Sequence, residues 1–473
     1  MKKFKLFING KWVNGCSGAY IDIENPATEE IFAQVPDGNA EDVDRAVTAA
    51  RIAFQSWKKT SGTQRADYLE KIADYIETHT KEIGETITKE LGAPASMVSS
   101  WHVEGTICEA RFFAKCAREF DYETKKPGVI IRREPIGVVA GLTPWNYPLD
   151  QVSVKLLPAL AAGNCVVLKP SQQAPLAAYW FTKATEAAGL PAGVFNLVTG
   201  RGGNVGNVLA AHPDVSMVSF TGSTKAGKEV GSLGITSNVK KVALELGGKS
   251  AAVLLESGDI ETAVNTVLTK CFMNTGQTCS ALTRFLVPRS RKKEVEVLMK
   301  ETAKKFTAGD PTKQDTVLGP LVNASAYDKV VNYIKLGIEE KATLLTGSIP
   351  QKTGKGYFVE PVIFTDCTMD MKIASEEIFG PVLTVIYYDT KEEALAIANN
   401  SEYGLSGACI GEEEEAREFA RDMETGVVHL NGAPFTVEAP FGGFKQSGIG
   451  RENSAFSFDE YLEIKAMLTN ISE

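Results

Sequence analysis

One cysteine of this sequence has the neighbours of a reactive thiol rather than those of a buried one. Cys279 lies in FMNTGQTCSALTR, residues 272–284, directly after an Asn-x-Gly-Gln turn and among small polar residues. Most single cysteines are small buried hydrophobic residues, whereas a reactive thiol needs access and a polar setting. The stretch alone leaves two interpretations of Cys279, an inert packing residue or a nucleophile.

Two further stretches place polar groups where a strand would end. In FTGSTKAG, Gly222 and Ser223 follow an apolar run and precede a helical pattern. Free backbone N–H groups at such a helix start favour an anion such as a phosphate, although ordinary turns use the same residues. The stretch is not the G-x-G-x-x-G fingerprint. In LKPSQQ, Lys169 could bind ribose hydroxyls or be a solvated loop lysine.

A carboxylate and an amide complete the set of residues that could take part in catalysis or binding. In ALELGGKS, Glu245 ends an apolar run, and Gly247 and Gly248 would let a ligand or another backbone approach closely. In TPWNYP, Asn146 lies in a turn that a proline makes rigid, which suits an amide donor. Glu245 could equally be an ion-pair partner, and Asn146 could cap its own loop.

The elements that must position these residues alternate between strands and helices. Five β-branched runs between residues 136 and 248, IGVVAGLTP, NCVVLKPS, GVFNLVTG, VSMVSFTGS and KKVALELGG, are separated by helical segments. This pattern predicts an open, mostly parallel sheet with helices on both faces, which binds ligands at the carboxyl ends of its strands. A second alternation, with SAAVLL, RFLVP, YFVEPVIF, PVLTVIYY and GVVHLN, predicts a second α/β domain.

The remaining segments predict helices and a separate hairpin. NAEDVDRAVTAARIAF has helical periodicity with Asn39 as its N-cap, and residues 63–91 continue in the same manner. In EFDYETKKPGVIIRREPIG, two polar β-prone arms flank the turn at residues 126–128, which predicts a hairpin outside either core. SFDEYLEIKAMLT near the end could supply a further strand.

Length, charge and cysteine usage limit the class of protein. A chain of 473 residues exceeds what one core supports, so two or three domains are expected. The formal charge of −9, without a basic block, argues against nucleic acid as a partner. No apolar run is long enough for a membrane span or a signal peptide, so we expect a cytoplasmic protein. The eight cysteines lie singly and the four histidines form no ligand cluster, so free thiols and no metal are expected.

Taken in order, the motifs resemble those of the NAD(P)-dependent aldehyde dehydrogenase superfamily. TPWNYP, KPS, FTGSTKAG, LELGGKS, NTGQTC, EEIFGPV and PFGGFKQSGIGRE stand in the family's order, and ENPATEEIFAQVP resembles its N-terminal segment. The resemblance implies two doubly wound α/β domains and a small β arm. The implied bounds are 1–120 and 138–247 for a modified Rossmann cofactor-binding domain, 248–445 for a catalytic domain, and 121–137 with 455–473 for an oligomerisation arm.

The resemblance implies oxidation of an aldehyde to its acid through a cysteine thiohemiacetal and a thioester. Cys279 corresponds to the family's nucleophile, Asn146 to its oxyanion donor, and Glu245 to the base that activates water. The presence of Glu245 favours hydrolysis to a free acid over transfer to coenzyme A. Cys271 lies outside the motif and keeps its interpretation as a packing residue.

The resemblance also implies a nicotinamide cofactor. The residues implied to contact it are Trp145, Lys169, Ser171, Gln172, Gly222, Ser223, Glu377 and Phe379. Lys169 corresponds to a contact with the adenosine ribose, Ser223 to one with the pyrophosphate, and Glu377 to one with the nicotinamide ribose. Many NAD-preferring relatives carry a glutamate where this chain has Gln172, and a neutral amide does not repel a 2′-phosphate. NAD is therefore slightly favoured, and NADP or dual use stays open.

Positions counted from the motifs predict the lining of a substrate tunnel. They are Tyr147, Gln151, Val154, Met273, Thr278, Ser280 and Phe435. This lining is aromatic and mixed, without an arginine that could clamp a carboxylate, which favours a small or medium uncharged aldehyde.

The family interpretation leaves three alternative functions to consider, and it leaves the number of subunits open. An acylating dehydrogenase and a non-catalytic relative are possible in principle, and a cysteine protease is disfavoured because no motif holds a histidine. The resemblance implies a homodimer or a homotetramer, and the sequence does not choose between them.

Overall fold

Strands and helices alternate through most of the chain. The structure, a computed structural model, describes residues 1–470, so positions 471–473 of the predicted arm lie outside the described residues. The strands are β1 Lys2–Lys3, β2 Leu6–Ile8, β3 Lys11–Val13, β4 Tyr20–Asn25, β5 Glu30–Pro36, β6 Glu123–Lys126, β7 Val129–Pro135, β8 Val138–Leu142, β9 Cys165–Lys169, β10 Phe195–Leu197, β11 Met217–Thr221, β12 Lys241–Glu245, β13 Ala251–Leu254, β14 Arg284–Pro288, β15 Thr343–Thr346, β16 Val362–Thr365, β17 Val382–Tyr388, β18 Tyr403–Gly404, β19 Ser406–Ile410, β20 Val427–Leu430, β21 Phe444–Lys445, β22 Gly448–Ile449 and β23 Leu462–Leu468.

The helices pack mainly on the faces of the two large sheets. They are α1 Ala40–Trp57, α2 Gly62–Thr78, α3 Thr80–Leu91, α4 Ala95–Val98, α5 Glu104–Glu119, α6 Asp150–Ala162, α7 Leu176–Ala187, α8 Asn207–Ala211, α9 Thr224–Asn238, α10 Ile260–Phe272, α11 Lys292–Ala303, α12 Ala324–Glu339, α13 Lys372–Ser375, α14 Lys391–Asn399, α15 Glu413–Arg421 and α16 Ser454–Glu460. Helix α1 begins at the predicted cap, because the Asn39 side chain accepts from the backbone N–H of Asp42. No helix within residues 1–470 has the length and apolar character that a membrane span requires.

The first large sheet has the strand order β22-β12-β11-β8-β9-β10-β2-β3 in the described chain. Strands β8 to β12 are parallel, as the alternating pattern predicts. From β8 the chain moves to β9 and β10 on one side and then to β11 and β12 on the other. The order therefore reverses between β8 and β11, and this is where open α/β sheets bind ligands at the carboxyl ends of their strands.

The second large sheet has the order β15-β16-β17-β14-β13-β19-β20 among the residues described. It is parallel apart from β15, which pairs antiparallel with β16. Strand β19 was not predicted, because its sequence SGACI offers small residues and only one β-branched residue. The predicted strand in YFVEPVIF is shorter than its apolar run, since β16 begins only after Pro361, which lacks a backbone N–H.

A small third sheet contains the predicted hairpin. Strands β6 and β7 pair around the turn at Pro127 and Gly128, and Gly128 has the positive φ of +74° that favours glycine. Strand β23 pairs antiparallel with β7 along its whole length. The hairpin and the C-terminal strand thus form one unit, in the order β23-β7-β6.

Apolar clusters on the faces of both large sheets hold the strand ends in place. The first sheet and its helices bury large side chains such as Trp57, Phe113 and Phe181, while the second sheet packs around Phe272 and Phe364. Close packing of this kind leaves the carboxyl ends of the strands as rigid positions for functional side chains.

Candidate active site

A cavity of about 220 Å³ brings together the predicted nucleophile, oxyanion donor and base. The predicted residues that line it are Trp145, Asn146, Gly222, Ser223, Glu245, Cys279, Glu377 and Phe379. They follow β8 and β11 or end β12 in the first sheet, or they precede β14 and β17 of the second. The cavity therefore lies where the strand order of the first sheet reverses and where the second sheet faces it.

The backbone before Cys279 is held in a rare conformation. Asn274, Thr275 and Gly276 all have positive φ, at 52°, 58° and 72°. Left-handed non-glycine residues cost about 1–3 kcal/mol each and persist only where neighbours hold them. Asn274 Nδ2 donates to the carbonyl oxygen of Asn146 at 2.8 Å, and Thr275 Oγ1 donates to Gly319 O at 3.0 Å. These bonds fix the turn that presents Cys279 to the cavity and connect it to the loop of Asn146.

Position 276 accepts only glycine for a second reason. A Cβ there would lie 2.2 Å from the carbonyl of Gly380, well inside van der Waals contact. The predicted Gly276 turn is thus packed directly against the chain that enters β17. Cys271, on helix α10 before this turn, is fully buried and its thiol contacts the carbonyl of Val382, in agreement with a packing role.

The environment of Glu245 and Cys279 favours the protonated form of both groups. Glu245 ends β12 with 3% of its surface exposed, and neither carboxylate oxygen has a hydrogen-bond partner in residues 1–470. Burial, and after it the charge of Glu452, raise the pKa of Glu245 to about 8, while Lys155 acts in the opposite direction. Burial, and then the carboxylate of Glu245, raise the pKa of the Cys279 thiol well above its usual value. Burial is thus the main cause of both shifts, and the two groups also interact with each other.

A buried ion pair behind this wall of the cavity was missed from the sequence. Lys155 on α6 is fully buried, donates to Thr221 Oγ1 at 2.5 Å and pairs with Glu452. Thr221 ends β11 and lines the cavity. The signal was a lysine within the apolar run of residues 154–162, together with an acidic residue in a motif that was used only for the resemblance. The ion pair places one positive and one negative charge near Glu245, and the negative charge of Glu452 has the larger effect on its pKa.

The start of helix α9 has the geometry expected of an anion site. Ser223 is its N-cap, and Ser223 Oγ accepts from Ala226 N at 3.3 Å. Gly222 directly precedes it, and a Cβ at that position would lie 2.6 Å from the ring of Phe220. A side chain at position 222 would therefore displace that ring, and glycine leaves the cap open to the cavity.

The Gly-Gly pair of LELGGKS receives a second carboxylate. Glu377 Oε1 accepts from the backbone N–H of Gly248 at 2.9 Å, and a Cβ on Gly247 would lie 2.7 Å from Glu377 Oε2. Lys329 on α12, which was not predicted, lines the cavity and donates to the carbonyl oxygen of Glu377 at 2.9 Å. The rings of Trp145 and Phe379 meet edge to face, 5.5 Å apart, on the same cavity wall.

The residues predicted to contact the adenosine half lie at the same sheet edge but outside this cavity. Lys169 ends β9, next to β8, and burial lowers its pKa to about 8. It packs against the π-helical turn Gly202–Gly206. Ser171 Oγ accepts from Gln173 N at 3.3 Å, and Gln172 is partly exposed beside it.

The predicted substrate-lining residues also lie outside the cavity lining. The Tyr147 hydroxyl and Thr278 Oγ1 form a hydrogen bond of 2.8 Å. This bond connects the residue after Asn146 to the residue before Cys279. Gln151 and Val154 are buried on α6, whereas Met273 and Ser280 are partly buried. Phe435 is 41% exposed and contacts Phe441, and it is not part of the cavity lining. The role of all seven residues stays a prediction.

Other kinds of site find little support. Residues 1–470 contain no group of three or more His, Cys, Asp or Glu side chains that could hold a metal ion. The eight cysteines, all of which fall in the described part of the chain, are free thiols.

Comparison with known proteins gives the same family as the motifs. Residues 12–467 match the sequence model of the aldehyde dehydrogenase family. A curated relative from Pseudomonas sp, named 3-succinoylsemialdehyde-pyridine dehydrogenase, is 45% identical over 98% of each chain. The structure superposes with TM-score 0.97 on a mutant of aldehyde dehydrogenase C from Pseudomonas syringae complexed with NAD+ and octanal, which is 44% identical over 99% of this chain and 98% of that one.

A second solved structure supports the same fold. An aldehyde dehydrogenase from Bartonella henselae superposes with TM-score 0.96, with 38% identity over 99% of both chains. The predicted fold class is confirmed by these superpositions over the whole chain. The chain therefore belongs to the aldehyde dehydrogenase family.

Proposed function

We propose that this chain oxidises an aldehyde to its carboxylic acid, with NAD+ as cofactor, through a covalent intermediate on Cys279. The observation that carries the proposal is that Cys279, Asn146 and Glu245 line one cavity together with the α9 cap and Glu377. Relatives of the same fold have been solved with NAD+, which supports NAD+ as the cofactor. The neutral Gln172 leaves NADP+ as an allowed second cofactor.

The residues around the cavity fit a dinucleotide. The N-cap at Ser223 offers backbone N–H groups and a helix dipole to a pyrophosphate, and Gly222 keeps that cap accessible. Glu377 has one carboxylate oxygen bonded to the backbone and a second beside Gly247, which suits a ribose hydroxyl. Bound NAD+ supplies the hydride acceptor that converts a thiohemiacetal into a thioester.

In the first half of the reaction, the Cys279 sulfur forms a bond to the aldehyde carbon. The carbonyl oxygen becomes negative, and the Asn146 amide and the Cys279 backbone N–H donate to it. The thiol proton must leave before or during attack, and Glu245 is the buried base that faces it. When the C–H bond of this adduct has been oxidised, the acyl group remains on sulfur as a thioester.

In the second half, Glu245, once it has released the thiol proton to solvent, takes a proton from water, and the resulting hydroxide adds to the acyl carbon. The C–S bond then breaks, the acid leaves, and Cys279 is released as a thiolate that recovers a proton. The carboxylate oxygens of Glu245 have no other partner in the described residues, so they are available to water. A pKa of about 8 makes Glu245 a stronger base than an ordinary carboxylate at neutral pH. Lys155 and Glu452 act on Glu245 with opposite sign and thereby set its proton affinity.

Product analysis tests this function and separates its competitors. The purified chain is incubated with a panel of small and medium uncharged aldehydes and each nicotinamide cofactor, with and without coenzyme A. The proposal expects free acid and reduced cofactor in equal amounts without coenzyme A. Strict dependence on coenzyme A would identify an acylating dehydrogenase, and no turnover across the panel would indicate a non-catalytic relative.

The structures and names of relatives support a broad substrate class only. One relative was solved with octanal, and another is named for an aldehyde that carries a pyridine ring. We therefore propose a small or medium uncharged aldehyde. The free thiols of the chain support a reducing compartment, and we propose the cytoplasm.

We further propose that the chain forms a homodimer or homotetramer through the arm of residues 121–137 and 455–473, and that the implied domain bounds hold. Strand β23 is paired on one side only within residues 1–470, and it exposes Ile464 and Leu468. An exposed apolar strand edge of this kind is normally covered. Size-exclusion chromatography with light scattering measures the number of subunits, and Ile464→Glu is expected to weaken the oligomer.

A further inference from the structure

One five-residue segment connects parts of the proposed site that lie far apart in the sequence. Residues 319–323, which we call the bridging segment, lead directly into helix α12. Leu321 packs in an apolar cluster of the second sheet, whereas the next residue, Val322, packs in the cluster of the first sheet. The bridging segment therefore lies where the two packing units of the chain meet.

The bridging segment first contacts the turn that presents Cys279. The carbonyl oxygen of Gly319 accepts from Thr275 Oγ1 at 3.0 Å. The backbone N–H of Val322 donates to Gln277 Oε1 at 2.9 Å, and Gln277 is 1% exposed, so this bond is shielded from water. The segment thus holds the nucleophile turn at two points.

The last residue of the bridging segment bonds the loop that follows β9. Asn323 Nδ2 donates to Gln173 Oε1 at 3.1 Å, and Gln173 directly follows Gln172, the residue predicted to select the cofactor. Asn323 Oδ1 accepts from the backbone N–H of Ala326 at 2.8 Å, which makes Asn323 the N-cap of α12. Because a backbone N–H can only donate, this second bond fixes the amide so that Nδ2 faces Gln173.

Helix α12 continues the connection to the other end of the cofactor site. Ala326 and Lys329 line the cavity, and Lys329 Nζ donates to the carbonyl oxygen of Glu377 at 2.9 Å. Glu377 is the residue that we propose for the nicotinamide ribose, whereas Gln172 belongs to the adenosine end. Asn323 is thus the point where contacts from both ends meet, because its amide bonds the adenosine loop and its cap fixes the helix that holds Glu377.

We propose that Asn323 is a positioning residue that sets the distance between the two ends of the NAD+ site. Its bond to Gln173 holds the adenosine loop against the start of α12 in the free enzyme, so less ordering remains to be done on binding. Loss of the bond lets the two ends move relative to each other. A ligand that contacts both ends is then weakened more than a ligand that contacts one. This inference rests on the proposed NAD+-dependent oxidation and adds to it a residue that acts through its neighbours.

Two single substitutions remove this bond from opposite sides. Asn323→Ser keeps a good N-cap for α12, but the short side chain does not reach Gln173. Gln173→Met keeps the length of the side chain and removes the acceptor. The Kd of NAD+, measured by calorimetric titration, should rise about 2–10-fold in each variant, the usual contribution of one hydrogen bond. The double variant should bind no more weakly than either single variant, because both substitutions remove the same bond.

A fragment of the cofactor separates positioning from a local effect. Adenosine monophosphate carries the adenosine end alone, so its Kd should rise by a smaller factor than that of NAD+ in both variants. Asp259→Ser is the matched control, because Asp259 is the N-cap of α10 and accepts from Thr262 N at 2.7 Å, and it should leave both Kd values unchanged. Asn323→Ser should keep the wild-type Tm since the cap is kept, whereas a purely structural role would lower Tm and leave the ratio of the two Kd values unchanged.

Each outcome decides the inference. It would be overturned by an unchanged Kd of NAD+ in either single variant, by equal factors for NAD+ and adenosine monophosphate, or by losses that add in the double variant. If Asn323→Ser does not fold, Gln173→Met decides alone, because it removes the same bond from a partly exposed position. Failure of the proposed function would be distinct, because the wild-type chain would then form no reduced cofactor with any aldehyde.

Discussion

The pH dependence of deacylation follows from the pKa of one carboxyl group. Glu245 must be ionised to take a proton from water, and its pKa is about 8. The carboxylate appears as the pH rises through this value, so about one-tenth of the molecules hold it at pH 7 and about one-hundredth at pH 6. Thioester hydrolysis should therefore accelerate about tenfold per pH unit below the pKa and level off above about pH 9.

The variant Glu245→Gln removes the base and keeps the size of the side chain. We expect hydrolysis to slow by about 10²–10⁴-fold, the usual contribution of a general base, and its tenfold rise per pH unit to disappear. Rapid-quench measurement of acid release from preformed acyl-enzyme gives the rate directly. The control is Glu376→Gln, which changes a carboxylate bonded to Tyr333 outside the cavity and should keep the wild-type profile. A wild-type rate that is flat between pH 6 and 9, or a Glu245→Gln rate that equals it, would refute the assignment.

Three further substitutions test the remaining assignments. Cys279→Ser should abolish aldehyde oxidation while NAD+ still binds in a calorimetric titration, whereas the buried Cys271→Ser should keep activity at reduced stability; loss of cofactor binding in Cys279→Ser would indicate a structural cysteine. Asn146→Ala should lower kcat by about 10²–10³-fold with little change in cofactor KM, and a change confined to KM would exclude an oxyanion role. Gln172→Glu should raise the ratio of kcat/KM with NAD+ to that with NADP+, because a carboxylate repels the 2′-phosphate, and an unchanged ratio would remove the residue from cofactor selection.

The parts of the molecule that local patterns encode could be predicted from the sequence. The β-branched runs predicted most strands of both large sheets, and a proline-glycine turn between polar arms predicted the hairpin of β6 and β7. The position of Cys279 after a glycine turn also followed from local chemistry, since Gly276 has a positive φ that the motif requires. Where the pattern was weak, as in the small residues of β19, the strand was missed.

Contacts between distant residues could not be predicted in this way. Lys155 and Glu452 are 297 positions apart, and neither has a neighbour in sequence that indicates the ion pair. The stacking of His102 on Tyr147 depends on a π-helical turn, for which the sequence carries no periodic signal. The tunnel lining was counted from motifs, and it stays a prediction, because none of its seven residues lines the described cavity.

The most direct test of the central claim is the mass of the peptide that contains Cys279 after one turnover. Glu245→Gln is mixed with aldehyde and NAD+, quenched in acid, digested and analysed by mass spectrometry. The account predicts that Cys279 carries the acyl group of the substrate, in an amount equal to the NADH formed, and that omission of NAD+ leaves no thioester. Formation of NADH with Cys279 unmodified, or an acyl group found on another cysteine, would contradict it.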